Sequence, residues 1–146
     1  MEPPLVIYPT EEDYRRHYER FYCTAPVVTF DGISVRFSKG RFVHCFYESS
    51  KRNSIKDRFS RVRAERIDWI KATLQDPKAE LYQGWDKGKS RYDPTWRVSV
   101  VYDSYVVVLQ SRKEKDGISR AEFKTAYVAD NSIDKIRKGP EWTPKK

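Results

Sequence analysis

The sequence is poor in the residues that hold metal ions. It contains two cysteines, Cys23 and Cys45, and two histidines, His17 and His44, and their spacing is not typical of a zinc site. We therefore predict no metal ion and no other cofactor. We also expect free thiols and a cytoplasmic location, although a single disulfide between the two cysteines stays open.

Long apolar runs, internal repeats and low-complexity segments are also lacking. No stretch approaches the length of a transmembrane helix and residues 1–10 do not resemble a signal peptide, so no membrane partner is predicted. The chain is nevertheless rich in side chains that can form a core, since 38% of the 146 residues are hydrophobic and 14% are aromatic. This content predicts one globular domain with a sizeable core and excludes a fully disordered chain.

Positive charge is concentrated in one segment. Ten basic and three acidic residues lie between Arg36 and Arg66, which gives +7 of the whole-chain net charge of +8. The charge predicts a polyanionic partner, and His44 lies inside this segment. Cations can hold a phosphate while an imidazole moves a proton, and the cations lower the pKa of the imidazole. His17 lies among tyrosines and arginines, and we assign it a structural role.

The first part of the chain predicts a helix and a hairpin. Thr10 can cap a helix with an acidic first turn, and Pro26 ends that helix. Asp31-Gly32 between two apolar runs is typical of a two-residue hairpin turn. The predicted apolar face of the helix consists of Tyr14, Tyr18, Phe21 and Tyr22.

The segment around His44 has two interpretations. As a strand, it places Phe42 and His44 on one face. As a helix, it brings Cys45 and Ser49 into one apolar stripe and makes His44 and Glu48 neighbours one turn apart. We favour the helix because of that stripe.

The second part predicts a long helix, four strands and a short final helix. The long helix covers residues 57–75 and ends at Asp76-Pro77, with Val62 on its apolar stripe and Arg63 and Arg66 at the edge of that stripe. The strands cover residues 79–82, 95–102, 105–110 and 120–129, and residues 84–94 form a loop. The final helix begins after Asn131, with Ile133 and Ile136 as its packing contacts. Alternation in the last strand predicts one shared face for Ala121, Phe123, Thr125 and Tyr127.

Several separated runs, in order, resemble the phage-type nucleases of the barnase, EndoU, colicin and RelE-like (BECR) superfamily. They are Arg41–Ser49, Lys56–Trp69, Tyr105–Gln110, Phe123–Asp130 and Lys135–Trp142, and the resemblance covers roughly residues 27–142. It implies an α+β fold with helices packed on one face of a four-stranded antiparallel sheet. Residues 1–25 would be an accessory N-terminal helix, 26–142 the nuclease-like domain with an added β-hairpin, and 143–146 a tail.

The resemblance implies a metal-independent endoribonuclease of toxin or phage type. Such enzymes activate the ribose 2′-OH to attack the neighbouring phosphate, which leaves a 2′,3′-cyclic phosphate. The expected partner is RNA, with a cognate antitoxin or immunity protein as a further one. Candidate catalytic residues are His44, Glu48, Arg66, Thr125 and Tyr127. Candidate RNA-binding residues are Lys39, Arg41, Lys51, Arg52, Lys56, Arg58, Arg61 and Arg63.

Non-catalytic, structural roles stay open for these residues. Glu48 can pair with Lys51 on the surface or orient His44, and the arginines can form a solvated helix face. Thr125 and Tyr127 are core residues if helices cover their face, and contact phosphate if it is open. Two other functions fit the same charge: a non-catalytic nucleic-acid-binding module that stacks bases on aromatic side chains, and a small inhibitor of a host factor.

Overall fold

The structure is a computed structural model that describes residues 3–49, 51, 55–86, 88–114, 117–130 and 132–142. In that part of the chain the elements are, in order, α1 (Glu11–Phe21), β1 (Val27–Val28), β2 (Ser34–Arg36), α2 (Arg41–Phe46), β3 (Tyr47–Glu48), β4 (Arg58–Phe59), α3 (Arg61–Ala64), α4 (Ile67–Gln75), β5 (Glu80–Asp86), β6 (Arg91–Tyr102), β7 (Tyr105–Glu114), β8 (Gly117–Val128) and α5 (Ser132–Arg137). The predicted α+β class is confirmed.

The main sheet is larger than predicted. Within the described residues it has six strands in the order β1-β2-β8-β7-β6-β5, while β3 and β4 pair separately. Every neighbouring pair is antiparallel except β2 and β8, which run parallel. The predicted four-stranded sheet is wrong because the N-terminal hairpin adds its two strands beside β8, where Val35 is buried opposite Ala121.

Helices cover parts of both faces of this sheet. One core combines α1, α2 and α4 with the sheet residues Val100, Val107 and Phe123. A smaller core on the other face holds Val101 and Val106, and α5 packs against it. Packing on both faces differs from the single helical layer that the sequence resemblance implies. No helix in the described ranges is long and apolar enough to cross a membrane.

Helix α1 begins and is buried as the sequence predicts, with one exception. The Thr10 hydroxyl accepts a hydrogen bond from the Asp13 amide, and the Asp13 carboxylate accepts one from the Thr10 amide, which completes a capping box. Tyr14 and Tyr18 are fully buried on one stripe. Phe21 is 52% exposed because it lies off the i, i+4 row that faces the core, so its predicted burial is wrong.

The segment around His44 is helical, but its helix is short. Helix α2 ends at Phe46, and Tyr47 turns to an extended conformation (φ −106°, ψ 154°). The backbone is redirected because Glu48 pairs with Arg58 in the β3–β4 ladder. The predicted helical relation between His44 and Glu48 is therefore wrong, and Ser49 does not join the apolar stripe of α2.

The predicted helix over residues 57–75 is broken into a strand and two helices. Ser60 caps α3 by accepting a hydrogen bond from the Arg63 amide (3.3 Å). A break at Arg66, where φ is −96° and ψ is 19°, separates α3 from α4. Ala64 is consequently buried, whereas Val62, expected on the apolar stripe, is 62% exposed. Helix α4 ends at Gln75, as the Asp76-Pro77 signal predicts.

Strands β5 to β8 are longer than predicted. The expected loop over residues 84–94 is partly a β-ribbon, since Gly84–Asp86 pairs with Arg91–Asp93 beyond a register shift. Helix α5 contributes Ile133 and Ile136 to packing, as expected. The predicted cap Asn131, Arg52 and the tail 143–146 lie outside the described residues.

Candidate functional site

A cleft of about 520 Å³ lies beside the C-terminal half of β8. Strand β2 pairs with β8 only over Arg120–Glu122, so the outer edge of β8 beyond these residues faces α2 and α3 in the described structure. One wall of the cleft is this edge, and the other is the segment 59–66. The lining residues are Glu48, Phe59, Ser60, Arg61, Val62, Arg63, Arg66, Tyr105, Ala126, Tyr127, Val128 and Asp130.

Arg66 has an unsatisfied donor in this cleft. Its Nη1 donates to the Val62 carbonyl (2.6 Å), and its guanidinium lies 5.0 Å from the centroid of the Trp69 ring. Its Nε is one of two buried side-chain polar atoms in the described residues without a hydrogen-bond partner, the other being Ser111 Oγ. An unpaired buried donor carries a free-energy cost, so the Arg66 guanidinium is only partly satisfied where this residue lines the cleft.

Arg63 lies across the cleft from β8. Its Nη1 donates to the Cys45 carbonyl (3.3 Å), which fixes the side chain against α2. Its guanidinium lies 6.0 Å from the centroid of the Tyr127 ring. Arg61, Arg63 and Arg66 thus supply three positive charges against the two acidic lining residues, Glu48 and Asp130.

Tyr127 places a phenol in the cleft. Burial raises the pKa of this phenol, although Arg97 and Arg63 act in the opposite direction. The hydroxyl therefore stays protonated at neutral pH and can donate a hydrogen bond or a proton. Glu48, half-buried at the end of β3, is the carboxylate on the opposite wall.

His44 and Thr125 lie next to the cleft but do not line it. The Thr125 hydroxyl is 3.5 Å from the His44 carbonyl, to which it donates. The His44 side chain is exposed in the last turn of α2. Partial burial lowers the pKa of its imidazole, and Arg41, Lys56 and Lys124 lower it further. The direction expected from the surrounding cations is confirmed.

A β-bulge places Thr125 and Tyr127 on a different face from Phe123. Thr125 pairs with Val108 but Phe123 pairs with the next residue, Leu109, which leaves Lys124 as an extra residue in β8. The shared face predicted for these side chains is therefore wrong, because the bulge breaks the period of two. Phe123 enters the core beneath the helices, and Tyr127 packs against the smaller core on the other side.

Of the predicted RNA-binding residues in the described part of the chain, Arg61 and Arg63 line the cleft, whereas Lys39 lines a different cavity. Arg41 donates through Nε and Nη2 to the Lys124 carbonyl (3.1 and 2.8 Å), so it anchors the bulge. Arg61 donates to the carbonyls of Tyr8 and Pro9, and it also lines the cleft. The exposed members of the set in the described residues are Lys39, Lys51, Lys56, Arg58 and Arg61.

Sequence reasoning missed several lining residues. Val62 and Val128 are exposed at the rim, with 62% and 38% of their surface accessible. Tyr105 and Asp130 also line the cleft. The one available signal was Ser60, whose capping preference indicates a new helix start and hence a turn of the chain at this place. Nothing local to Asp130 marks it.

Both cysteines are free thiols. In the ranges that the structure describes, no group of three or more histidine, cysteine or acidic side chains is arranged to hold a metal ion. No protein-family model, curated protein or solved structure matches this chain. The resemblance to the nuclease superfamily therefore stays a prediction, and the site is interpreted from its own geometry.

Proposed function

We propose that this chain is a metal-independent endoribonuclease and that the cleft beside β8 is its active site. The observation that carries the proposal is the meeting of Glu48, Arg66 and Tyr127, which are far apart in the sequence, on the walls of one cleft. The sequence alone predicts each of the three as a catalytic candidate. The Arg66 guanidinium, one of whose donors has no partner within the protein, supplies a charge suited to a phosphate oxygen.

The three residue types supply a complete cleavage reaction. The Glu48 carboxylate takes the proton from the ribose 2′-OH, whose oxygen attacks the adjacent phosphorus. Arg63 and Arg66 offset the charge that develops on the phosphate oxygens. The bond to the 5′-oxygen breaks, and Tyr127 donates its proton to that oxygen. The products are a 2′,3′-cyclic phosphate and a 5′-hydroxyl end.

His44 is the alternative base for the first proton transfer. Its lowered pKa keeps the imidazole neutral at neutral pH, which is the form that accepts a proton. Glu48 is preferred because it lines the cleft together with both arginines, whereas His44 does not. If Glu48 is the base, Glu48→Gln loses cleavage activity; if His44 is the base, His44→Ala loses it.

The composition of the cleft favours proton transfer over catalysis by bound metal ions. Two-metal nucleases need several carboxylates that converge on one point. The lining contains two acids, Glu48 and Asp130, and three arginines. Exposed Val62 and Val128 at the rim offer apolar contact to a base.

Incubation of purified protein with RNA in EDTA tests the proposal. We expect cleavage, a cyclic phosphate on the new 3′ end and resistance at any position whose ribose lacks its 2′-OH. Glu48→Gln should be strongly impaired, while Glu12→Gln, an exposed glutamate on α1, should cleave as the wild type does. Loss of cleavage in EDTA with recovery on adding magnesium would refute the mechanism. RNA binding without any product would point to the binding module instead.

A further inference from the structure

Residues 3–9 lie against one wall of the cleft, and we call them the N-terminal strap. Val6 is half-buried, whereas its neighbours Leu5 and Ile7 are 42% and 66% exposed. Such alternation is typical of an extended backbone that packs one of its sides on the protein. The packed side of the strap meets residues 61–69, which carry the arginines of the cleft.

The strap is bound by Arg61, Glu65 and Trp69, which are spaced four residues apart. Arg61 donates through Nη1 and Nη2 to two strap carbonyls (2.6 and 3.2 Å). The Glu65 carbonyl accepts a hydrogen bond from the Val6 amide (2.8 Å). The indole Nε1 of Trp69 donates to the Pro3 carbonyl (2.7 Å). The strap therefore follows this segment from its first residue to its last.

These contacts lie on both sides of the break between α3 and α4. Arg61 and Glu65 precede the break at Arg66, and Trp69 follows it. The segment contains neither proline nor glycine, so its own sequence does not impose a fixed angle at this point. Hydrogen bonds from the strap to both helices restrict that angle. They thereby restrict where Arg63 and Arg66 lie in the cleft.

Trp69 connects the strap to two residues that line the cleft, although it is not a lining residue itself. The centroid of its ring lies 5.0 Å from the Arg66 guanidinium. Its ring also meets the Tyr105 ring edge to face at 5.5 Å. The positive charge of an arginine is attracted to the face of an indole. The hydrogen bond to the Pro3 carbonyl fixes the position of the indole, and the indole in turn supports the guanidinium.

We propose that Trp69 is a positioning residue: held by the N-terminal strap, it orients the Arg66 guanidinium in the cleft. The role of this orientation in cleavage rests on the proposed function, in which Arg66 offsets charge on the phosphate. A long arginine side chain without such support loses more conformational entropy when it binds a phosphate. The inference also assigns a task to residues 3–9, which lie outside the region that resembles the nuclease superfamily.

Trp69→Phe tests the contact with the strap, because phenylalanine keeps an aromatic ring but lacks the N–H that binds the Pro3 carbonyl. We expect kcat for RNA cleavage to fall by about tenfold, since a small displacement of a catalytic group slows a reaction by up to about a hundredfold. Binding of 2′-O-methyl RNA, which 2′-OH attack cannot cut, should change little. The matched control is Trp85→Phe, the same substitution at a tryptophan on β5 that is 48% exposed and does not line the cleft. This control should cleave as the wild type does.

Removal of residues 1–9 tests the whole strap and keeps Thr10, which caps α1. Its readout does not depend on activity: it is the hydrogen exchange of the buried Arg66 Nε–H, measured by NMR. We expect this exchange to become about tenfold faster without the strap, because release of the wall opens the group to water. The truncation also removes a carbonyl that accepts from the buried Tyr14 hydroxyl, so the fold is checked by circular dichroism. If the truncated chain does not fold, the exchange is measured in Trp69→Phe.

The outcomes separate this inference from the proposed function. If the wild type cuts RNA but Trp69→Phe keeps the wild-type kcat and loses only free energy of unfolding, the positioning role is refuted and the cleft stands. If the wild type does not cut RNA, the nuclease is refuted, and the exchange of the Arg66 Nε–H decides about the strap. Faster exchange then supports its role in orienting Arg66, and unchanged exchange refutes that role.

Discussion

On α1, each buried tyrosine hydroxyl donates to a backbone carbonyl: Tyr14 to Val6, Tyr18 to Ser38 and Tyr22 to Ile67, at 2.8, 2.7 and 2.6 Å. In the cleft beside β8, Arg66 carries a buried Nε without a partner. Both regions set polar groups among aromatic rings. The first satisfies them within the protein, which stabilises the fold. The second leaves a buried donor unsatisfied.

The two histidines differ in the same way. His17 is nearly buried, with Nδ1 2.8 Å from the Tyr8 hydroxyl and Nε2 2.8 Å from the Asp68 carboxylate. It joins the N-terminal segment, α1 and α4. His44 is exposed, and the pKa of its imidazole is lowered by partial burial and then by the surrounding cations. Substitutions in the hydrogen-bonded region around α1 should therefore lower the stability of the fold. Substitutions in or beside the cleft should change the binding or cleavage of RNA.

The largest expected effect is that of Arg66→Ala on cleavage. Loss of one preorganised donor to a developing oxyanion lowers rates by about a hundredfold to a thousandfold. Arg66→Lys should recover only part, because an ammonium group lacks the planar set of donors. The control is Arg16→Ala on α1, an arginine that is 74% exposed and pairs with Glu12. Equal cleavage rates for the Arg66→Ala and Arg16→Ala variants would show that Arg66 does not contribute to cleavage.

Tyr127→Phe should lower cleavage of RNA by about a hundredfold, the usual contribution of a positioned proton donor. A substrate with an acidic leaving group, such as a nitrophenyl ester, needs no proton and should be cut almost normally by this variant. Arg66→Ala should stay slow on both substrates. A Tyr127→Phe defect that is equal on both substrates would mean that the hydroxyl only positions the RNA.

The sequence predicts the elements of this fold better than their junctions. Thr10 and Asp76-Pro77 carry local signals, and the structure has the expected helix boundary at each. The predicted hairpin is present, but its two-residue turn is wrong, because Thr29 pairs with Ile33 and the loop consists of three residues, 30–32. The sheet contains more strands than predicted because strand pairing depends on distant residues. The bulge at Lys124 also rests on a distant contact, the hydrogen bonds from Arg41.

The candidate site was predictable in its residue types but not in its grouping. The charge around His44 indicates the segment that contributes one wall of the candidate cleft, and the sequence alone predicts Glu48, Arg66 and Tyr127 as candidates. Glu48, Arg66 and Tyr127 come together only because α2 ends at Phe46 and because the helix breaks at Arg66. Neither is marked by proline or glycine, so the sequence pattern places His44, and not the cleft, at the centre.

Tyr22→Phe probes the satisfied region. The Tyr22 hydroxyl donates to the Ile67 carbonyl and accepts from the Lys71 amide (3.2 Å), so its removal leaves two buried backbone groups without this partner. We expect a loss of about 1–3 kcal/mol in the free energy of unfolding, measured by urea denaturation. Cleavage at a temperature where the variant is folded should equal that of the wild type. Reduced cleavage by the folded variant would mean that Tyr22 also contributes to activity, and that the region around α1 does not act on stability alone.

The smallest expected effect concerns the pH dependence of RNA binding at His44. Because its pKa is lowered from the ordinary 6.5, the imidazole is neutral at neutral pH and gains a positive charge only as the pH falls through the lowered value. A nearby phosphate favours the charged form, so affinity for 2′-O-methyl RNA should rise on acidification from about pH 7.5 to about pH 5. The rise should stay below about tenfold, since the side chain is exposed and screened.

His44→Ala should flatten this pH dependence and leave the affinity at pH 7.5 nearly unchanged. A pH dependence that persists unchanged in His44→Ala would show that another group is responsible, and His44 would then have no part in binding RNA. A hundredfold loss of cleavage in His44→Ala at pH 7.5 would instead make His44 the base and Glu48 its neighbour.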